Sequence, residues 1–165
     1  MESQDNQQET FTSLKLFVVL NRAARSVNDR IAEDIRSHGL NPTEFAVMEL
    51  LYNKGDQPVQ VIGKKVLIAS SSITYVVDKL QNRGYVERSA CPNDRRVIYT
   101  KLTGRGRDLM KRIFPEHAEM IQQLFSHLTM DEKKMLAEQL KSIGKYAQSF
   151  KIEYDRKSEH HRDLS

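Results

Sequence analysis

Hydrophobic residues recur every three or four positions along most of this chain, which is the spacing that places them on one side of an α-helix. The first such stretch predicts a long helix over residues 11–37, closed by Gly39. The next stretch, NPTEFAVMELLYNKG, has Asn41 in the position of an N-cap and Pro42 in the first helical position. A short third helix is predicted to begin at Pro58.

The fourth helical stretch, SSSITYVVDKLQNRG, covers residues 70–84 and begins with three consecutive serines. Its predicted inward face consists of Ile73, Val76, Val77 and Leu80. About three residues separate this helix from the short one before it. Two short helices so closely joined, the second opened by serine and carrying basic residues, are typical of a helix-turn-helix.

The hydrophobic period changes after Gly84. The segments YVERS and VIYTKL are rich in β-branched or aromatic residues and alternate between apolar and polar positions, as strands do. The turn-forming cluster ACPNDRR lies between them. We therefore predict a β-hairpin with Asp94, Arg95 and Arg96 at its tip, which forms the wing of a winged helix-turn-helix.

Two further helices are predicted after the hairpin. Thr103 caps the first of them, and Pro115 inside it predicts a kink. Thr129 and Glu132 have the spacing of a capping box for the last helix, which is predicted to run to about Tyr154.

The predicted fold class is therefore mainly α with a small β-hairpin wing. The terminal helices carry longer apolar stripes than the small central unit can cover, which favours a homodimer over a monomeric bundle. Five divisions are predicted: a frayed segment (1–10), an N-terminal dimerisation helix (11–40), a winged helix-turn-helix lobe (41–103), C-terminal dimerisation helices (104–155) and a disordered tail (156–165).

Charge adds a candidate partner. The 165-residue chain has a formal net charge of +4, but Lys79 to Arg112 alone contains ten Lys or Arg and three acidic residues, a net +7. A concentrated positive segment favours a polyanionic partner such as DNA, and the alternative is an ordinary solvated face.

The serines at the start of the fourth helix fit this partner. A helix N-terminus carries unpaired N–H groups and partial positive charge, and small hydroxyl side chains let it approach phosphates and base edges in the major groove. At least one serine would be an ordinary N-cap in any case. The candidate DNA-contacting residues on this helix are Ser70, Ser71, Ser72, Thr74, Tyr75 and Lys79.

The predicted wing offers a second contact. Arg96 on a narrow ribbon can enter a minor groove, where the negative potential is strongest. Asp94 can pair with its guanidinium and orient it, while Arg95 reaches the DNA backbone. The alternative is a solvated tight turn without a partner.

Cys91 is the only cysteine, so no disulfide can form within the chain, which favours a reducing, cytoplasmic location. Cys91 lies close in sequence to Arg88, Arg95 and Arg96, and nearby cations lower the pKa of a thiol. It is therefore a candidate sensor of oxidants or electrophiles, with an inert residue before Pro92 as the alternative. No apolar run reaches the roughly 20 residues of a membrane span, and no secretory signal is recognisable.

Motifs of catalysis and cofactor binding are missing from the sequence. GDQPVQVIGKKV lacks the spacing of a phosphate loop, and GRGRDL lacks the third glycine of a dinucleotide site. The five histidines do not have the spacing of metal ligands. We therefore expect no enzyme activity, no cofactor and no metal.

The stretch SSSITYVVDKLQNRGYVERSACPNDRRVIYTKLTGRG resembles the MarR family of bacterial transcription regulators. Those proteins share a serine-led recognition helix, a wing with Asp-x-Arg and a following Leu-Thr-x-x-Gly. The resemblance covers residues 11–150 and implies a homodimer that binds a pseudo-palindromic operator in double-stranded DNA, usually as a repressor. It places recognition-helix contacts on the three serines, Thr74 and Lys79, and the wing contact on Arg96 supported by Asp94.

Two segments, HGLNPTEFAVMELLYNKG and CPNDRR, are most similar to family members that respond to quinones and other electrophiles. Other members bind phenolic ligands or sense peroxide through a cysteine in the first helix, a residue that this chain lacks. The resemblance therefore implies release from DNA by a small aromatic ligand or by thiol modification. The alternative is a winged-helix module that binds another protein instead of DNA.

Overall fold

The computed structural model describes residues 2–66, 70–90 and 97–151. Six helices and three strands lie in these ranges, and their order confirms the predicted mainly α architecture with a hairpin wing. They are α1 (Glu2–Ser37), α2 (Pro42–Lys54), β1 (Gln57–Pro58), α3 (Val59–Lys65), α4 (Ser70–Asn82), β2 (Val86–Ala90), β3 (Ile98–Leu102), α5 (Gly104–Leu124) and α6 (Met130–Ser149). The predicted connection at 67–69, hairpin tip at 91–96 and tail at 156–165 lie outside the described residues.

The predicted helix boundaries around α2 are confirmed. Asn41 accepts the N–H of Glu44 through its side chain at 2.8 Å, and the Glu44 carboxylate accepts the N–H of Asn41 at 2.9 Å. This reciprocal pair is a capping box, which satisfies two backbone donors at the start of the helix. Gly39, between α1 and α2, has a φ of 75°, a left-handed conformation that glycine adopts without steric cost.

The predicted hairpin is the larger part of an antiparallel sheet with strand order β1-β3-β2. Val86 pairs with Leu102 and Ala90 with Ile98 across the hairpin. Gln57 lies opposite Thr100 of β3 in strand β1, which the sequence pattern does not predict. A two-residue strand that contains Pro58 has no alternating pattern of its own, so only its pairing with β3 reveals it.

The hydrophobic core lies where α2, α3, α4, β2, β3 and α5 meet the end of α1. All four predicted inward residues of α4 are buried in it. Its buried apolar members are Ile35, Leu40, Phe45, Val47, Met48, Leu51, Ile62, Ile73, Val76, Val77, Leu80, Val86, Leu102, Leu109, Met110 and Ile113. Because α4 contributes one face to this core, its opposite face is held outward in a fixed orientation.

Two helix ends differ from the prediction. Helix α1 begins at Glu2, so residues 2–10, expected to be frayed, are helical. Thr10 and Thr12 donate to the carbonyls four residues before them, and the Glu and Gln residues of this segment have good helix propensity without an apolar stripe. Helix α6 ends at Ser149 rather than near Tyr154, because Phe150 is extended. Pro115 lies inside α5, which continues on both sides of it.

The chain divides into two compact units, residues 1–124 and 125–165. In the second unit, Thr129 and Glu132 form the predicted capping box of α6. Helix α6 buries none of its residues and exposes a long apolar row, Met130, Met135, Leu136, Leu140, Ile143, Tyr146, with Phe150 just beyond its end. Among the described helices, none is long and apolar enough to cross a membrane.

Candidate DNA-binding surface

The outward face of α4 carries four of the nine side chains predicted to contact DNA. Ser72, Thr74 and Tyr75 are exposed, and Tyr75 keeps 69% of its surface accessible although it is aromatic. Ser72, Tyr75 and Lys79 follow one another at intervals of three and four residues, so they form one row along the helix. Ser70 begins α4, but the side chains of Ser70 and Ser71 lie outside the described part of the structure.

Lys79, in the last turn of α4, and Arg83, the residue directly after its end, both pair with one buried carboxylate. Glu44 of α2 is only 2% exposed. Its Oε1 atom lies 2.9 Å from Lys79 Nζ, and its Oε2 atom lies 3.2 Å from Arg83 Nη1. Arg83 also donates to the carbonyl of Gly39 at 2.9 Å. The end of α4 is thereby joined both to the start of α2 and to the turn before it.

Glu44 is held in its charged form by these partners. Burial raises the pKa of its carboxyl, but three effects oppose burial: hydrogen bonds from Lys79 and from the backbone N–H of Asn41, and the positive charges of Lys79 and Arg83. The net result is a pKa below the ordinary value for glutamate. At neutral pH the buried carboxylate is therefore a fixed negative charge beside two cations, one in the last turn of α4 and one directly after it.

Arg88 of β2 holds the opposite flank of α4. Its Nη1 atom lies 2.6 Å from Asp78 Oδ1 and donates to Gln81 Oε1 at 2.9 Å, while Nη2 donates to the carbonyl of Thr74 at 3.4 Å. Its side chain is only 25% exposed. Helix α4 is thus bound on one side to α2 through Glu44 and on the other side to the wing through Arg88.

The two long strands of the wing extend from this junction. Glu87 of β2 lies opposite Lys101 of β3, and their side chains pair at 3.2 Å across the ladder. The strands lead towards the hairpin tip, so the predicted contacts Asp94, Arg95 and Arg96, like Cys91, lie outside the described residues. The role of each of these four residues stays a prediction.

The Leu-Thr-x-x-Gly segment lies at the base of the wing, where its threonine and second glycine each have a structural role. Thr103 accepts the N–H of Gly106 through its side chain at 3.0 Å, which confirms it as the cap of α5, and it donates to the Gly84 carbonyl at 2.7 Å. At Gly106, an added Cβ would lie 2.0 Å from the carbonyl oxygen of Tyr85. A side chain at this position would push α5 away from the turn that ends α4.

A second polar contact that the sequence did not reveal joins α1 to α5. Asp34 Oδ2 lies 2.6 Å from His117 Nδ1, and the His117 ring packs 4.5 Å from the ring of Phe45. These residues lie far apart in sequence, so no spacing signal connects them. Within the described ranges, no group of three or more His, Cys, Asp or Glu could hold a metal ion.

These features define a winged helix-turn-helix protein with an outward-facing recognition helix, α4, that is held by a clamp of two residues, Glu44 on one side and Arg88 on the other. A model of the MarR family matches residues 40–98. The chain is 54% identical over 141 residues to the HTH-type transcriptional regulator MhqR of Bacillus subtilis (strain 168), a match that covers 86% of this chain and 97% of that protein.

Two solved structures have the same fold. One is Sco3205 of Streptomyces coelicolor, a MarR family transcriptional regulator in complex with DNA, with a TM-score of 0.74 and 23% identity over 81% of this chain and 86% of that one. The other is BpsR of Bordetella bronchiseptica, a protein whose DNA binding is regulated by 6-hydroxynicotinic acid. It matches with a TM-score of 0.70 and 23% identity over 79% of this chain and 98% of that one. The chain belongs to the MarR family of transcriptional regulators, and the resemblance predicted from its sequence is confirmed.

Proposed function

We propose that two copies of this chain form a homodimer that binds a pseudo-palindromic operator in double-stranded DNA and represses transcription in the cytoplasm. Each copy would insert α4 into a major groove, with Ser70, Ser71, Ser72, Thr74 and Tyr75 near base edges and phosphates and Lys79 near the backbone. Each wing would place Arg96, oriented by Asp94, in the neighbouring minor groove, with Arg95 on a phosphate. The protein would act by binding, without turnover of a substrate.

One observation carries the proposal: α4 buries four apolar residues on one side and presents a row of exposed polar and aromatic side chains on the other. The aromatic ring of Tyr75 is exposed and is not part of the hydrophobic core. A helix held rigidly at both flanks, with a small-residue start, fits a major groove about 12 Å wide. The DNA complex of Sco3205 supports the same use of this fold.

The homodimer is supported by the apolar surface that each unit leaves uncovered. On α1, Phe11, Leu14 and Phe17 are each more than 60% exposed. On α6, the apolar row described above has no buried member. We propose dimerisation through residues 11–40 and 104–155, because rows of large exposed apolar side chains on a monomer normally mark an interface.

The wing contact is tested by Arg96→Ala. We expect a loss of operator affinity between about fivefold and 150-fold, since an arginine that contacts DNA typically contributes about 1–3 kcal/mol. The probe is a duplex selected from a random pool by the wild-type protein. Lys54→Ala is the control, because Lys54 is an exposed cation in the last turn of α2 and lies outside both the proposed DNA contacts and the proposed dimerisation segments. Equal affinities for wild type and Arg96→Ala would contradict the wing contact.

We further propose that a small phenolic or quinone-type ligand, or modification of the Cys91 thiol, releases the protein from DNA. BpsR supports the ligand route, because a hydroxylated aromatic acid regulates its DNA binding. Titration of the wild-type complex with 6-hydroxynicotinic acid, a hydroquinone and its quinone tests both routes, with Cys91→Ser as the variant that removes the thiol. Release that persists in Cys91→Ser assigns the effect to ligand binding, and release that is lost assigns it to the thiol.

A module that binds protein instead of DNA would give different results. It would show no salt-dependent binding to any duplex, because it would neutralise no phosphates.

A further inference from the structure

The winged helix-turn-helix fold of the DNA-binding lobe does not by itself require the buried carboxylate of Glu44. Carboxylates are rarely buried unless they are paired, and this one is only 2% exposed. The cap of α2 needs only one oxygen of Glu44, the Oε2 atom that accepts the Asn41 N–H. The Oε1 atom faces Lys79, and Oε2 is shared with Arg83.

Lys79 belongs to the helix that the proposed function places in the major groove, and Arg83 directly follows the end of that helix. Arg83 is committed within the chain, because it bonds Glu44, donates to the Gly39 carbonyl and lies 4.9 Å from the centre of the Tyr85 ring. Lys79 is different: its side chain remains 47% exposed while its ammonium contacts Glu44. An ammonium group has three donors, so contact with one carboxylate oxygen leaves donors for a phosphate.

We propose that Glu44 is a positioning residue for sequence recognition: it holds Lys79 and Arg83 so that α4 keeps one angle against α2 and the Lys79 ammonium keeps one position at the DNA backbone. Glu44 itself does not touch DNA. This inference rests on the proposed function and adds to it the residue that sets the pose of the recognition helix.

The geometry explains why specificity, rather than general affinity, depends on Glu44. Attraction to any duplex follows the positive charge of the surface, and a buried carboxylate reduces that charge. Recognition of one sequence requires base-contacting side chains to be held in a fixed register, which phosphate contacts at defined positions provide. Glu44 therefore lowers non-specific attraction and strengthens the discrimination between operator and other DNA.

The test is the ratio of two affinities measured for Glu44→Gln. One probe is the duplex selected from a random pool by the wild-type protein, and the other is a scrambled duplex of the same length and composition. Glutamine has nearly the same shape and can still accept the Asn41 N–H, but it has no charge to hold the two cations. We expect the ratio of operator to scrambled affinity to fall about tenfold, with the scrambled duplex bound as tightly as before or more tightly.

Glu87→Gln is the matched control within the same lobe. It removes the same charge and releases a lysine, Lys101, from a similar 3.2 Å pair, but the Glu87 side chain is 54% exposed and its charged partner lies in β3 rather than in α4. We expect this variant to bind both duplexes slightly more tightly, with an unchanged ratio. If the ratio of operator to scrambled affinity falls equally in both variants, the effect of Glu44→Gln comes from the change in net charge alone, and the proposal is wrong.

A purely structural role for Glu44 gives another result. In that case Glu44→Gln would unfold at a lower temperature, yet its ratio measured well below that temperature would equal the wild-type ratio, and the proposal would be wrong. Should Glu44→Gln fail to fold, Glu44→Asp retains the charge but withdraws it by about 1.5 Å, one carbon–carbon bond. The aspartate variant is then expected to lower the ratio, and an unchanged ratio contradicts the proposal.

A double variant tests whether Glu44 acts through Lys79. If it does, the combined loss in Glu44→Gln/Lys79→Gln is smaller than the product of the two single losses, because both remove the same interaction. Losses that multiply independently would contradict this route. A wild-type protein that binds no duplex contradicts the proposed function and this inference with it, whereas wild-type binding with an unchanged variant ratio contradicts this inference alone.

Discussion

At the residue scale, single contacts of the DNA-binding lobe decide how its elements meet. Gly106 is the clearest case, because the start of α5 lies so close to the turn after α4 that no Cβ fits beside the Tyr85 carbonyl. The sequence marked this glycine through the Leu-Thr-x-x-Gly resemblance, and the structure supplies the steric reason.

Gly106→Ala is therefore expected to lower the free energy of unfolding by about 3 kcal/mol, since the added methyl group must displace backbone rather than a flexible side chain. Urea denaturation measures the change. Gly104→Ala is the control, because a Cβ at Gly104 has no neighbour within 4 Å, and we expect it to alter stability by less than about 0.5 kcal/mol. Similar losses in the two variants would contradict the steric account.

The lowered pKa of Glu44 predicts how stability depends on pH. A carboxyl with a lower pKa in the folded state contributes stability above its unfolded-state pKa, about 4.3, and this contribution is lost as the pH falls below that value. Glu44→Gln removes the titrating group. We therefore expect its unfolding free energy, measured by urea denaturation between about pH 6 and 3, to fall less steeply than that of the wild type. Parallel curves would show that Glu44 has no such linkage.

At the element scale, helix ends and the inward face of α4 could be predicted from the sequence. Contacts between residues that are distant in sequence could not. Asn41, Thr103 and Thr129 act as caps because their side chains accept the N–H three residues on, a local arrangement that the sequence displays directly. Strand β1 and the Glu44–Arg83 pair depend on residues about 40 positions apart, and no spacing rule joins residues at that distance.

The starts and ends of the outer helices were the least predictable elements for a related reason. Residues 2–10 are helical without an apolar stripe, so hydrophobic periodicity did not detect them. The proposed DNA contacts on α4 followed from its serine-led start and outward face, while the clamp formed by Glu44 and Arg88 required the folded structure.

The cap of α2 gives a prediction at this scale. Asn41→Ala removes the side-chain oxygen that accepts the Glu44 N–H, and we expect a loss of about 1 kcal/mol in the free energy of unfolding. Asn41→Ser keeps an acceptor at the cap and should remain close to the wild type. Urea titrations of the three proteins at one pH provide the comparison; equal stabilities for the alanine and serine variants would show that the cap contributes little.

At the scale of the whole molecule, the uncovered apolar surface of α1 predicts that association and stability are linked. Leu14 is 61% exposed in a single chain, and a charge there is costly to bury in an interface. We expect Leu14→Glu to weaken dimerisation at least about tenfold, as measured by sedimentation equilibrium. Its melting temperature should also depend less on protein concentration than that of the wild type. An unchanged dimer would place the interface elsewhere.

The central claim is that two copies of α4 and its wing read two half-sites on one duplex, and selection from a random pool tests it most directly. The account predicts recovered sequences that share an inverted repeat with half-site centres about 34 Å apart, one turn of the helix, or a multiple of that distance. It also predicts that affinity for them falls about a thousandfold between about 50 and 200 mM salt. A recovered pool without a shared repeat, or binding that salt does not weaken, would contradict it.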